Sequence, residues 1–226
     1  MMERYLIECI SAGKYYSRNG HSFAALSDIN LTISENETLL LKGRSGAGKS
    51  TLIHLMSGLI KPSSGKVLFN GISLGDANNK TLSSLLRNET GIIFQNFNLL
   101  PTYTVYENIE IAVIPGKKDH LNPKNVIREY LERFDLADKT DLLPSELSIG
   151  QQQKVAIIRT LIREPSVIFA DEPTGSVDDQ SASEILSLFE KMRNKSNVTL
   201  IMATHGNIPE SFADRVVEIE NGKIKN

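Results

Sequence analysis

The chain has 226 residues, 40% of them hydrophobic, and a formal net charge of −2. With no basic excess it lacks the electrostatic footprint of a nucleic-acid binder, and no apolar run approaches the roughly 18 residues that span a bilayer. The N-terminal MMERYLIE has no signal-peptide pattern, and the single cysteine, Cys9, excludes an internal disulfide and fits a reducing compartment. The expectation is one domain (1–226), cytoplasmic, tied to a membrane only through another subunit.

Residues 4–10 and 27–33 read as strands joined by the polar, turn-rich Ser17–His21, with Cys9 as a small core residue. Thr38–Lys42 (TLLLK) is a short buried strand. It runs into Gly43-Arg44-Ser45-Gly46-Ala47-Gly48-Lys49-Ser50-Thr51, after which Leu52, Leu55, Met56 and Leu59 fall at helical spacing. Lys61–Gly65 is a turn by composition, Val67–Phe69 a strand, and Leu82, Leu85 and Leu86 suit one short helix. Gly91–Phe94 is a compact apolar strand ending on Gln95. Residues 96–146 then change character, with one weak helical pattern at Tyr106–Val113. A stronger one follows, in which Asn122 caps Pro123 and Val126, Ile127, Tyr130, Leu131 and Phe134 share a face. Ser148-x-x-Gln151 has capping-box spacing and opens a helix carrying Val155, Ile158, Leu161 and Ile162, so a helical subdomain of about 96–162 is inserted in an α/β core. Val167–Ala170 is a buried strand running into Asp171-Glu172. Ser181-x-x-Glu184 has the spacing to open a further helix, Val198–Ala203 is a strand ending at Thr204-His205, and short strands at 215–219 and 223–225 close the chain.

The stretch from Gly43 fits G-x-x-x-x-G-K-[ST] between a strand and a helix. A chance match in a chain this long should occur on the order of one per cent of the time from average residue usage. The phosphate-loop reading wins. Glycines let backbone N–H groups curl around a phosphate, and the helix N-terminus adds partial positive charge. Lys49 would reach the β- and γ-phosphates and the Ser50 hydroxyl a Mg²⁺ ion. Four strands end in groups that phosphate chemistry uses: Gly43, Gln95, Asp171 with Glu172, and His205. In a mainly parallel sheet these ends gather at one edge. Asp171 would hold Mg²⁺ and Glu172 polarise a water aimed at the γ-phosphate, with His205 on that phosphate and Gln95 sensing metal and water.

Over essentially its whole length the sequence resembles the ATP-binding-cassette ATPases. The resemblance rests on the phosphate loop, Gln95 in FQNFNLLP, Leu147-Ser148-Ile149-Gly150-Gln151, VIFADEP and His205. FQNFNLLPTYTVYENI and PSELSIGQQQKVAI look most like the branch serving lipoprotein-release, macrolide-export and peptide-export permeases. The resemblance implies a P-loop core with a mainly parallel sheet, an N-terminal antiparallel β subdomain and an inserted helical subdomain. It also implies a head-to-tail homodimer with ATP sandwiched between the phosphate loop of one copy and Ser148, Gly150 and Gln151 of the other. Asp178 matches the aspartate that couples the two sites. Tyr16, at the usual offset from Lys14, best matches the aromatic that stacks on adenine, with Tyr15 as the alternative.

The sequence departs from the family pattern at three positions: Ile149 replaces the first signature glycine, Gly206 follows His205 where an aspartate is frequent, and Lys154 stands where arginine is usual. The implied function is an ATPase that dimerises on ATP and drives an integral membrane permease from the inner face of the membrane. The alternative is an ATP-driven mechanical switch on a membrane partner, of the cell-division type. A chromosome or DNA-repair ATPase head is disfavoured, because 96–146 is too short for a long coiled coil and has no sustained heptads.

Overall fold

The computed structural model describes residues 5–18, 21–113, 122–206 and 208–225. In chain order the strands are β1 (Ile7–Arg18), β2 (His21–Ile33), β3 (Thr38–Lys42), β4 (Ser64–Phe69), β5 (Ile72–Ser73), β6 (Thr90–Ile93), β7 (Val167–Asp171), β8 (Thr199–Thr204), β9 (Arg215–Glu220) and β10 (Lys223–Ile224). The helices are α1 (Lys49–Met56), α2 (Asn79–Asn88), α3 (Val105–Glu110), α4 (Pro123–Arg133), α5 (Ile149–Leu161) and α6 (Asp179–Ser196).

The strands form two sheets. One is antiparallel, in the order β2-β1-β4-β5; the other runs β10-β9-β3-β8-β7-β6 and is parallel except for the terminal β9–β10 hairpin. The central strands β3, β7 and β8 are mostly apolar runs because both of their faces are covered. Leu39, Leu41, Phe169 and Ile201 pack with α1 and the antiparallel sheet, while the alternate residues Leu40, Ile168, Leu200 and Met202 pack with the helical layer. In that layer Ile109 of α3, Ile127 of α4 and Val155 and Ile158 of α5 share the core cluster with Ile185 and Phe189 of α6.

Three expectations are corrected. β1 and β2 are longer than 4–10 and 27–33, so Ser17, Arg18 and His21 are strand residues, while residues 19–20 lie outside the described ones. Register shifts between Cys9 and Tyr15, with Ser11 and Asp28 at positive φ, break the two-residue alternation, so the strands lose their phase in the sequence without losing their pairing. Leu59 lies beyond the end of α1 and is 41% exposed. The Ser181–Glu184 capping box does not form. Asp178 caps α6 instead, accepting from the Ser181 N–H, so the helix begins at Asp179 and Ser181 already lies inside its first turn. The released Glu184 pairs with Lys154 of α5 at 2.7 Å.

Other helix starts follow the sequence. Asn122 caps α4 with Pro123 in its first turn, and Ser148 and Gln151 make both bonds of a capping box on α5. α3 begins at Val105 on a capping box of Thr104 and Glu107, which the weak apolar pattern from Tyr106 onward hides.

Candidate nucleotide-binding site

The phosphate loop spans the C-terminal end of β3 and the start of α1. Gly46 and Gly48 have φ of 77° and 108°, conformations that L side chains rarely adopt. Close packing adds a second constraint at Gly48, where a Cβ would stand 2.8 Å from the Ala25 carbonyl oxygen. Gly48 is also the N-cap of α1 and provides no side-chain cap. The N–H groups of the first helical turn therefore stay available to an anion. Lys49 is 4% exposed, and its Nζ donates to the carbonyls of Gly43 at 2.8 Å and Arg44 at 3.2 Å. Arg44 and Ser45 are exposed at the loop tip, whereas Ala47 is buried beneath it.

The parallel sheet brings the other strand ends to this edge. Glu172 follows β7 directly; its Oε1 lies 3.4 Å from Lys49 Nζ, and its Oε2 accepts from Gln95 Nε2 at 3.1 Å and lies 3.2 Å from His205 Nδ1. Three of the expected catalytic groups thus meet on the carboxylate of the fourth. The backbone at Glu172 has φ 48°, unusual for a glutamate. Its N–H donates to the Ala203 carbonyl at 3.1 Å, and its own carbonyl accepts from the Gly175 N–H at 3.0 Å, so flanking hydrogen bonds retain the strain.

Asp171 is 6% exposed and bonded to Ser50, yet its Oδ1 has no partner among the described residues. Burial pushes its carboxyl above the usual carboxylate range, opposed by the Ser50 bond and by nearby His54. A buried carboxylate oxygen without a donor, next to a serine hydroxyl, suits a hard cation. No group of three or more His, Cys, Asp or Glu with metal-binding arrangement occurs among the described residues. That donor set fits Mg²⁺, which keeps waters and substrate phosphates in its shell.

A cavity of about 590 Å³ opens over the loop, lined by Tyr16, Phe23, Ser45, Lys49, Gln95 and Glu172, with Gly46, Gly48, Ser50 and Thr51 also in its wall. Tyr16 lines it and Tyr15 does not. Phe23 escaped the sequence reading. Its ring centroid lies 5.8 Å from that of Tyr16, because the two residues pair across the β1–β2 hairpin. Only the register of that hairpin reveals it. Lys14 Nζ stands 5.5 Å from the Tyr16 ring.

Ser148, Gly150, Gln151 and Asp178 do not line this cavity. They form a second cluster where the N-termini of α5 and α6 meet: a Cβ on Gly150 would stand 2.5 Å from Ser181 Oγ, and that hydroxyl donates to Asp178 at 2.8 Å. Ile149 occupies the first turn of α5, is absent from the positive-φ residues, and is 52% exposed. One chain therefore carries a phosphate-binding half and, separately, a helix-terminus half.

The family model described as ABC transporter matches residues 26–175. The chain is 35% identical over 226 residues to the lipoprotein-releasing system ATP-binding protein LolD of Buchnera aphidicola subsp. Schizaphis graminum, covering 100% of this chain and 99% of that protein. It is 42% identical over 203 residues to the methionine import ATP-binding protein MetN of Latilactobacillus sakei, covering 88% of this chain and 58% of that one. Its fold matches the dimeric post-hydrolysis structure of the ATP-binding cassette MJ0796 bound to ADP and Pi with a TM-score of 0.90, 30% identity and 97% coverage of both chains. With a matching family model over most of its length, the same fold and a phosphate loop facing the ends of a parallel sheet, the chain belongs to the ABC transporter family, as an ATP-hydrolysing cassette.

Proposed function

We propose that Mg²⁺-ATP binds over Gly43–Thr51 and is hydrolysed by a water that Glu172 polarises, in a dimer that drives an integral membrane permease of the export or lipoprotein-release type. The observation that carries this reading is the Glu172 carboxylate bracketed by Lys49, Gln95 and His205 at the mouth of the cavity. Lys49 stabilises charge on the transferring phosphoryl group, while Gln95 and His205 hold the base in its orientation. Ser50, Asp171 and Gln95 would hold a Mg²⁺ ion, which would supply neutralisation of phosphate charge. Tyr16 stacks on the base, with Phe23 supporting it. Ser148, Gly150 and Gln151 offer the N-terminus of α5 to the γ-phosphate held by the partner copy, and Asp178 lies beside that junction. Residues 96–162 act as the helical arm of a single domain, carrying the α5 half-site on a lever outside the parallel sheet.

Among the described residues no helix is long and apolar enough to cross a membrane. The reading therefore puts the chain at the inner face of the membrane through its permease. The transport and release names of the relatives favour this over a mechanical switch. The deciding experiment is Mg²⁺-dependent ATP hydrolysis by Glu172→Gln. The amide keeps the shape but loses the base, so turnover should fall at least a hundred-fold, about 2.7 kcal/mol in the barrier, while ATP still binds. Turnover at the wild-type rate would remove Glu172 from its role.

A further inference from the structure

Gln153 sits one turn inside α5 and is 1% exposed, out of reach of the nucleotide cavity. Its Nε2 donates to the Pro173 carbonyl at 2.9 Å, with both groups buried. A carbonyl only accepts, so the amide orientation is forced and Oε1 points away. That oxygen is buried without a partner among the described residues. An amide buried with half its hydrogen bonding unmet stabilises less than an apolar side chain of the same length. Packing therefore gives no reason for glutamine here. The one bond it makes does.

Pro173 immediately follows Glu172, whose positive φ needs its neighbours held in place. Ahead of Gln153 on the same helix, Gly150 packs against Ser181, which is bonded to Asp178. Behind it, Lys154 pairs with Glu184. The first two turns of α5 are thus fastened to the chain downstream of Glu172 at three points, and only the Gln153 bond lies next to the base itself.

We propose that Gln153 is a positioning residue. Through the Pro173 carbonyl it links the Ser148 end of α5, which engages the nucleotide of the partner copy, to Glu172 in its own site. Engagement of one site then orients the base of the other. The inference rests on the reading of Glu172 as general base, and the two are separable by experiment.

Gln153→Met keeps length and volume and removes the donor. Its kcat should fall about ten-fold with the KM for ATP unchanged, since a misaligned base slows chemistry without weakening binding. Thermal unfolding should shift by no more than a few degrees, because the variant loses one unpaired oxygen and leaves another, on Pro173. Gln153→Asn retracts the amide by one methylene and should give the same split; it serves if the methionine variant folds poorly. Glu172→Gln is measured alongside. If it is inactive while Gln153→Met and Gln153→Asn stay within two-fold of wild-type kcat, the positioning role is overturned and the base assignment stands. If the variants raise KM in proportion to any loss of kcat, Gln153 serves nucleotide binding or folding, and the inference fails. If Glu172→Gln turns over normally, both readings fall.

Discussion

At the scale of single residues, Ile149 is the most informative departure from the family pattern. Were position 149 held at positive φ, a β-branched residue would be strained there. It lies instead in the first turn of α5, after a Ser148 cap with φ −63° and ψ 159°, and its side chain is half in solvent. Ile149→Gly should therefore change steady-state ATP turnover by only a few-fold, costing about 1 kcal/mol of helix propensity. A gain of ten-fold or more would mean that the isoleucine obstructs the γ-phosphate of the partner site. Cys9 offers a second test. Burial pushes its thiol from 9.0 up to about 12, and the side chain is 3% exposed. Aromatic disulfide reagents should leave the native protein unlabelled at pH 8 and react fully once it is unfolded. The linkage has a definite sign. Between pH 9 and 12 the native state keeps a proton that the unfolded state loses, so this contribution is complete below pH 9 and is lost as pH rises. The unfolding free energy of the wild type in urea should fall more steeply above pH 9 than that of Cys9→Ala.

At the scale of elements, the segment after Gln95 runs from the Glu172 carboxylate to the surface. Phe97 and Asn98 both have positive φ, and Arg159 of α5 donates to the carbonyls of each at 2.7 Å. Asn108, fully buried on α3, closes the other side of the loop by accepting from the Leu100 N–H and donating to the carbonyls of Leu100, Tyr103 and Thr104. The loop is rigid by construction. It presents Leu100 and Tyr103 at 39% and 41% exposure, while Leu99 packs against the helical layer. Gln95 donates to Glu172 at one end of this segment, and the proposed mechanism uses that contact to report nucleotide state to the apolar tip. A photo-crosslinker at Tyr103 should trap the permease in native membranes, and absence of product both with and without ATP would remove this face from the interface. Arg159→Ala leaves two left-handed residues without their clamp and should uncouple ATP turnover from the permease more than it lowers basal turnover.

At the scale of the whole molecule, the Ser148 cluster lies outside the cavity over the phosphate loop, and in the proposed mechanism a second copy completes the site. A solved cassette of the same fold, MJ0796, is dimeric. With ATP and without turnover, Glu172→Gln should elute as a dimer in size-exclusion chromatography, and Lys49→Ala should remain monomeric because its loop no longer holds the phosphates. Adding Ser148→Ala to Glu172→Gln should weaken ATP-dependent dimerisation while sparing ATP binding to the monomer, since the serine lies outside the cavity of its own chain. Equal loss of both would put Ser148 in the cis site.

The parts legible in the sequence are those governed by local chemistry. The phosphate loop needs glycines at fixed offsets, buried parallel strands need unbroken apolar runs, and the caps at Asn122 and Ser148 satisfy helix donors two or three residues away. Each is decided within about ten residues. What the sequence left open was decided by contacts between distant segments. The bulged β1–β2 register put Phe23 beside Tyr16 and excluded Tyr15 from the cavity. Asp178 displaced Ser181 as the cap of α6 by starting the helix three residues earlier, and the α5–α6 junction pairs Glu184 with Lys154. Gln153 sits in a helix whose local pattern is satisfied without it, and its partner is a carbonyl 20 residues away. Spacing specifies which groups a site contains; only the packing of the sheet and helices specifies which of them touch.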